Sequence, residues 1–241
     1  MICSFTLNFK PIILGRRIKR YSNYASIKRI LLSKGITDEE LKKIVVTNFI
    51  TKDKFFEEKN YSLKISSIDS EVTLKILRVF FLIKLEGELL NISGNKFFLL
   101  NIHYTNMNSR QLLLENIEYK DKIEIQFLTP CFFKFGSRLL TSFEPLYVLT
   151  NVLTKLKQSS IAGDENFILT KNEIYKVEYK ILKEKELEVS NKGTTGLIGK
   201  VIYYIDNNEE LNKRLTNLLN FAYFSGIGYC TQEGYGQIGL K

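Results

Sequence analysis

Cys3, Phe5, Leu7 and Phe9 alternate with Ser4, Thr6, Asn8 and Lys10, the two-residue period of a strand that turns one face to a core. After a basic stretch, Ser22 or Asn23 is placed to cap a helix from about Tyr24 to Ser33, with Ile27, Ile30 and Leu31 on one face and Gly35 as its stop. Thr37 and Glu40 have the spacing of a capping box, which predicts a short helix to about Val45. Tyr61, Leu63 and Ile65 alternate as a strand, Ser70–Leu85 suits a helix, and Lys96–Tyr104 suits a strand after a Ser93-Gly94-Asn95 turn. With room for a further short strand near Phe49–Phe56, the first half reads β-α-β-α-β.

Ile123, Ile125 and Phe127 open the second half as a strand, and "CFFKFGSRLL", residues 131–140, reads as a hairpin with its turn at Gly136-Ser137. Leu146, Leu149, Leu153 and Leu156 mark a helix. Next come an alternating strand at Tyr175, Val177, Tyr179 and Ile181 and a second strand in "GLIGKVIYYI". A helix carrying Leu211, Leu215, Leu218 and Ala222 follows, and then a last strand at Gln237–Leu240. The order β-α-β-β-α-β is the ferredoxin-like, RRM-like unit. The chain is therefore expected to be α+β, with two tandem ferredoxin-like domains at residues 1–115 and 116–241.

Composition narrows the partner. The chain has 44% hydrophobic and 25% charged residues, which suits a globular protein, and no apolar run nears the ~20 residues of a membrane span. "ICSFTLNF" does not have the continuous apolar centre of a signal peptide, so a cytoplasmic location is the default. Cys3, Cys131 and Cys230 lie far apart without CxxC spacing and read as small buried hydrophobes. The formal charge of +9 favours a polyanionic partner. No DxD, HxH or clustered carboxylates stand ready for a metal, so neither metal nor cofactor is expected. The stretch 15–29 places Arg16, Arg17, Lys19, Arg20, Lys28 and Arg29 around Tyr21 and Tyr24, a pattern able to hold phosphates and stack bases.

Glycines 226, 228, 234, 236 and 239 follow the last helix. A P-loop or dinucleotide fingerprint needs strand, glycines and helix in the opposite order, so neither fits. Gly226 suits a helix C-cap. The remaining density is read as close approach of backbone to a large ligand.

"AYFSGIGYCTQEGYGQIGL" resembles the glycine-rich C-terminal signature of the CRISPR-associated repeat-processing endoribonucleases, the Cas-six family of the RAMP superfamily. Ala222, Tyr223, Gly226, Ile227, Gly228, Thr231, Gly234 and Gly236 match it, with Tyr235 where the family usually has Phe. "IQFLTPCFFKFGSRLL" resembles the family's central segment and "GLIGKVIYY" one of its strands, so the resemblance covers Ile123–Leu240. It implies an enzyme that binds CRISPR repeat RNA and cuts it without metal, the RNA's own 2′-hydroxyl acting as nucleophile. The products would be a 2′,3′-cyclic phosphate and a 5′-hydroxyl, and a CRISPR effector complex is a further implied partner, with the chain itself a monomer or homodimer. A RAMP-type subunit that binds repeat RNA without cutting it is the alternative, and a third reading gives the glycines to folding alone.

The family's catalytic histidine lies in the early helical region, whereas the sole histidine here, His103, falls late in a strand. The resemblance then implies a slow centre of lysine and tyrosine, placed at Tyr24, Lys28 and Lys52. The implied RNA contacts are Arg16, Arg17, Lys19, Arg20, Arg29 and Lys54 in the first half. In the second they are Lys134, Arg138, Gly226, Gly228, Thr231, Gly234 and Gly236.

Overall fold

A computed structural model of the chain describes residues 2–13, 23–46, 50–51, 61–107, 122–159, 161–189 and 193–240. The chain divides into two compact units, Met1–Asn106 with Gln232–Gly234 and Met107–Thr231 with Tyr235–Lys241.

In the first unit β1 (Ile2–Ile13) leads to α1 (Asn23–Ser33), the short α2 (Asp38–Leu41), β2 (Ile44–Val46), β3 (Ile50–Thr51) and β4 (Tyr61–Ser67). Then follow α3 (Ser70–Glu86), β5 (Leu90–Ile92) and β6 (Asn95–Met107). The sheet runs β2-β4-β1-β6-β5, with β3 also on β4. The period-2 reading of β1 is met by Phe5, Leu7 and Phe9, fully buried in one core with Leu63 and Ile65 of β4, Ile27 and Leu31 of α1, and Ile76, Phe80 and Ile83 of α3. Antiparallel register sets Phe5 opposite Ile65 and Leu7 opposite Leu63. The polar positions are also largely covered: Ser4, Ser62 and Ser66 are buried, and Ser62 Oγ donates to Asn8 Oδ1 at 2.6 Å.

The second unit comprises β7 (Lys122–Cys131), the hairpin β8 (Phe133–Phe135) and β9 (Arg138–Leu140), α4 (Pro145–Leu156), α5 (Lys171–Ile174), β10 (Glu178–Val189), β11 (Thr194–Tyr204), α6 (Glu209–Ser225) and β12 (Ile238–Leu240). Its sheet order, β10-β11-β7-β12, is that of a ferredoxin-like unit with the first strand inside. Leu211, Leu215, Leu218 and Ala222 of α6 are all buried, as their spacing predicts.

Local differences from the sequence reading have local causes. The capping box forms, Thr37 Oγ1 accepting from the Glu40 N–H and Glu40 accepting from the Thr37 N–H, yet the helix stops at Leu41. The β-branched run Ile44-Val45-Val46 is drawn into the sheet beside β4, where all three side chains are buried. The strand expected from Tyr175 begins only at Glu178, because a second capping box at Thr170 and Glu173 makes Lys171–Ile174 helical. Asn23 is the first residue of α1, with its side chain buried and its Oδ1 accepting from Ser93 Oγ at 3.0 Å. Ser22 lies outside the described residues.

One buried amide joins sheet to helix in the second unit. Asn212 Oδ1 accepts from the Ile205 N–H at 3.0 Å and its Nδ2 donates to the Ile205 carbonyl at 2.6 Å, so a side chain supplies both backbone partners at the end of β11. Asn212→Ala is expected to leave both groups unpaired and to cost on the order of 2–4 kcal/mol in urea unfolding. A loss below about 0.5 kcal/mol would show that the bond pair contributes nothing net.

Candidate nucleic-acid interface

Helix α4 buries Val148, Leu149, Val152 and Leu156, and this apolar stripe leaves Asn151 and Lys155, one turn apart, together on an adjoining face. Both reach the glycine-rich segment. Asn151 Oδ1 accepts from the Gly228 N–H at 2.8 Å. Lys155 Nζ lies 3.3 Å from the Ser225 carbonyl, 3.0 Å from the Gly226 carbonyl and 3.1 Å from Thr231 Oγ1. Three oxygens match the three N–H donors of an ammonium. Burial pushes the Lys155 pKa down to about 7. When neutral, the amine still donates to both carbonyls and accepts from the Thr231 hydroxyl.

The same segment is laced to the chain around Pro130. Gly236 N–H donates to the Pro130 carbonyl at 2.9 Å, Ile227 N–H to the Gly236 carbonyl at 2.8 Å, and Tyr229 N–H to the Phe132 carbonyl at 2.7 Å. Gln237 N–H donates to Thr129 Oγ1 at 2.9 Å, and the Cys131 thiol to the Ile227 carbonyl at 3.4 Å. Burial raises the thiol's pKa to about 12, so Cys131 stays an inert donor. Cys230 is buried as well.

These contacts give the glycines a reason within the fold itself. Gly226, Gly228, Gly234 and Gly236 are all buried, as is Thr231, whose hydroxyl is engaged by Lys155. A Cβ on Gly228, at φ +97°, would lie 2.6 Å from the Phe132 carbonyl oxygen, and one on Gly236 would overlap the Ile227 carbonyl oxygen. The close backbone approach that demands glycine is made to the chain itself.

What the laced segment presents outward is Tyr229. Lys134 on the hairpin places its Nζ 5.2 Å from the centre of that ring, within cation–π range. Phe132 meets the ring edge-on beneath. Phe135, 52% exposed, packs edge to face on Tyr147 at 5.4 Å, and its cross-strand partner is the exposed Arg138. Two cations and two aromatic rings thus meet at this hairpin, Lys134 and Phe135 being neighbours on β8 whose side chains point to opposite faces.

In the first unit, Tyr24 packs against the core, and Lys28, one turn on, is half-exposed. The Lys28 ammonium sits 2.5 Å from Asp38 Oδ1, and that bond, with the charge of Tyr24 adding to it, raises the lysine's pKa. Arg29 and His103 are exposed. Arg16, Arg17, Lys19, Arg20, Lys52 and Lys54 lie outside the described residues. Lys64, opposite Thr6 on the polar side of β4, is a residue the sequence reading passes over. Burial brings its pKa to about 7. Among the described residues no three His, Cys, Asp or Glu side chains are grouped to hold a metal, and no helix is long and apolar enough to cross a membrane.

A profile of the CRISPR-associated endoribonuclease Cas6 family matches residues 125–238, the span that holds the hairpin, the α4 clamp and the laced glycine segment. The second unit is similar to the Cas6 family. Solved structures agree in fold over the whole length. A Cas6 product complex superposes with a TM-score of 0.76 at 16% identity, covering 100% of both chains. Thermus thermophilus Cas6 gives a TM-score of 0.69 at 16% identity over 100% of this chain and 98% of that one. The product of a Cas6-related gene from Pyrococcus furiosus gives 0.64 at 18% identity over 100% and 99%. No curated protein matches the sequence.

Asn151 and Lys155 are the residues the sequence reading of α4 leaves out. Two polar positions four apart inside a leucine stripe mark a helix face but not what that face meets. Gly228→Val combines a positive φ with overlap on Phe132 and is expected to cost on the order of 2–4 kcal/mol; parent-like stability in chemical denaturation would return the glycine to a ligand role. Lys155 gives a pH signature. The folded chain holds this proton more weakly than the unfolded chain, where the group titrates near 10.5. The penalty is therefore fully present below about pH 7 and is relieved as pH rises toward 10.5. The stability of the parent relative to Lys155→Met should climb across that window, and a flat difference would mean that Lys155 keeps an ordinary pKa.

Proposed function

We propose that this chain binds CRISPR repeat RNA and cuts it as a metal-independent endoribonuclease. The observation that carries the RNA-binding part is the hairpin, where Lys134 covers Tyr229 on one face and Phe135 stands beside Arg138 on the other. It joins two segments of the Cas6 match, and it pairs stacking rings with phosphate-binding cations. Solved Cas6 relatives have been captured as product and substrate-mimic complexes, which supports RNA as the polyanion that a charge of +9 favours.

In the proposed reaction the RNA 2′-oxygen bonds to the adjacent phosphorus as its proton leaves to a base. The bond from phosphorus to the 5′-oxygen breaks, and that oxygen takes a proton. Cyclic phosphate and 5′-hydroxyl ends result. Lys28, with its pKa raised by Asp38, keeps its proton at neutral pH. Its part is that of a cation stabilising the phosphorane or an acid for the leaving oxygen, with Tyr24 orienting the reacting groups and Lys52 assisting. The Lys28–Asp38 pair also favours the second reading, a repeat-binding subunit that cuts little, because a lysine already neutralised by a carboxylate offers less charge to a phosphate.

Single-turnover cleavage of end-labelled repeat RNA in excess EDTA tests the proposal, and the expected products carry cyclic phosphate. Lys28→Ala should slow the reaction roughly 100- to 1,000-fold, and His103→Ala should leave it within a few-fold. Near-complete loss in His103→Ala, with folding and affinity intact, would move the centre to β6. Asp38→Asn should raise the rate several-fold by freeing Lys28; an unchanged rate would take that charge out of the mechanism. Lys134→Ala or Arg138→Ala should weaken RNA binding and flatten the slope of log K against log salt by about 0.7 each. Unaltered slopes would remove the hairpin from the RNA path.

A further inference from the structure

The hairpin has a second side. Between β8, α4 and α5 the second unit encloses a groove of about 770 Å³, a size that suits a small ligand. Phe135, Tyr147 and Tyr175 contribute aromatic wall, and Lys134, Lys157 and Lys171 contribute cations. Among the described lining residues none is acidic. Tyr175 is 62% exposed, and the Lys171 ammonium stands 5.8 Å from the centre of its ring. The wall that carries Tyr175 is fixed from behind: Arg214 of α6 donates to Glu173 Oε1 at 2.7 Å and to the Ile168 carbonyl at 3.0 Å. Glu173, the carboxylate nearest Tyr175 in sequence, is held there by Arg214 and by the Thr170 N–H at 2.7 Å.

We infer that this groove binds an unpaired nucleotide of the RNA, its base stacked against Tyr175 or Tyr147 and its phosphates held by Lys157 and Lys171. Flat rings and cations together match the two halves of a nucleotide, a planar base and an anionic backbone. An apolar peptide would leave three lysines without partners, and an acidic one would have no use for the rings. Lys134 lines the groove and also covers Tyr229, so the groove continues the surface proposed above for repeat RNA. The inference rests on that reading for the identity of the strand, and it adds a subsite for single-stranded RNA, separate from the residues proposed to cut.

The test uses the full chain with fluorescein-labelled eight-nucleotide oligouridylate and oligoadenylate, followed by anisotropy at low salt, alongside repeat RNA binding and cleavage. Tyr175→Ala should raise the oligonucleotide Kd roughly 5- to 150-fold, the range for removing one stacked base, and Tyr175→Phe should restore it. Lys157→Gln with Lys171→Gln should flatten the salt slope by about 1.4. Both sites are exposed, so unfolding midpoints should stay at the parent value. Failure of the parent to hold either oligonucleotide would overturn the inference, as would a Kd within twofold of the parent in all these variants. Displacement of the oligonucleotide by a polyglutamate peptide, with Tyr175→Ala binding that peptide like the parent, would also overturn it and assign the cations to a protein partner. Loss of the groove with repeat RNA still bound and cut leaves the endoribonuclease reading intact. Stacking at Tyr175 without repeat binding or cleavage would do the reverse.

Discussion

Everything the second unit offers to a ligand depends on satisfying a buried, sharply turned backbone. Between Ser225 and Gln237 the chain leaves a helix, turns repeatedly through positive φ and enters a strand, so its carbonyls and N–H groups cannot be paired by regular structure. An unpaired buried backbone group costs about as much as a lost hydrogen bond. Helix α4 meets the demand with two side chains, Lys155 taking the carbonyls of Ser225 and Gly226 and Asn151 taking the Gly228 N–H. A buried ammonium is an expensive way to do this. Its compensation is reach, since one Nζ closes on three oxygens from two separated stretches.

The clamp and the Pro130 lacing act together. Pro130 gives its carbonyl to Gly236, while a Cβ on Gly196 of β11 would lie 2.7 Å from the proline's own Cβ. The central segment, the glycine-rich segment and the strand of "GLIGKVIYY" therefore meet around a few residues. Tyr229 and the hairpin are projected from that junction. Lys134 and Tyr229, 95 residues apart in sequence, reach each other because the backbone beneath both is fixed at Phe132, whose carbonyl receives the Tyr229 N–H.

Elements with a strong period were legible before the structure. The alternation in β1, the leucine spacing of α6, the Thr37–Glu40 box and the Gly136-Ser137 turn each have a single physical reading. Where two signals competed, the weaker was easier to see. The Tyr175–Ile181 alternation hides a capping box at Thr170 and Glu173, and Ile44-Val45-Val46 continues a helical pattern yet pairs as an edge strand beside β4. Side chains that bridge distant segments were the least legible. Nothing local in Asn151 or Lys155 says that a glycine loop more than 70 residues later will need an acceptor and a donor.

The glycines carry the more general lesson about the site. Five of them in fourteen positions suggest a surface shaped for a ligand, and the resemblance reinforces that idea. Yet Gly226, Gly228, Gly236 and Thr231 serve overlap relief, a cap and internal hydrogen bonds, and Tyr229, which the motif does not fix, is exposed. A signature of this kind identifies the scaffold. Side chains that the motif does not fix set the local electrostatics: Asp38 holds the charge of Lys28 on α1, and burial brings the pKa of Lys64 to about 7. Lys28 and Lys64 thus differ in environment, one held charged by a carboxylate on the helix and the other stripped of solvent on the sheet, a difference that no repeat of glycines could announce.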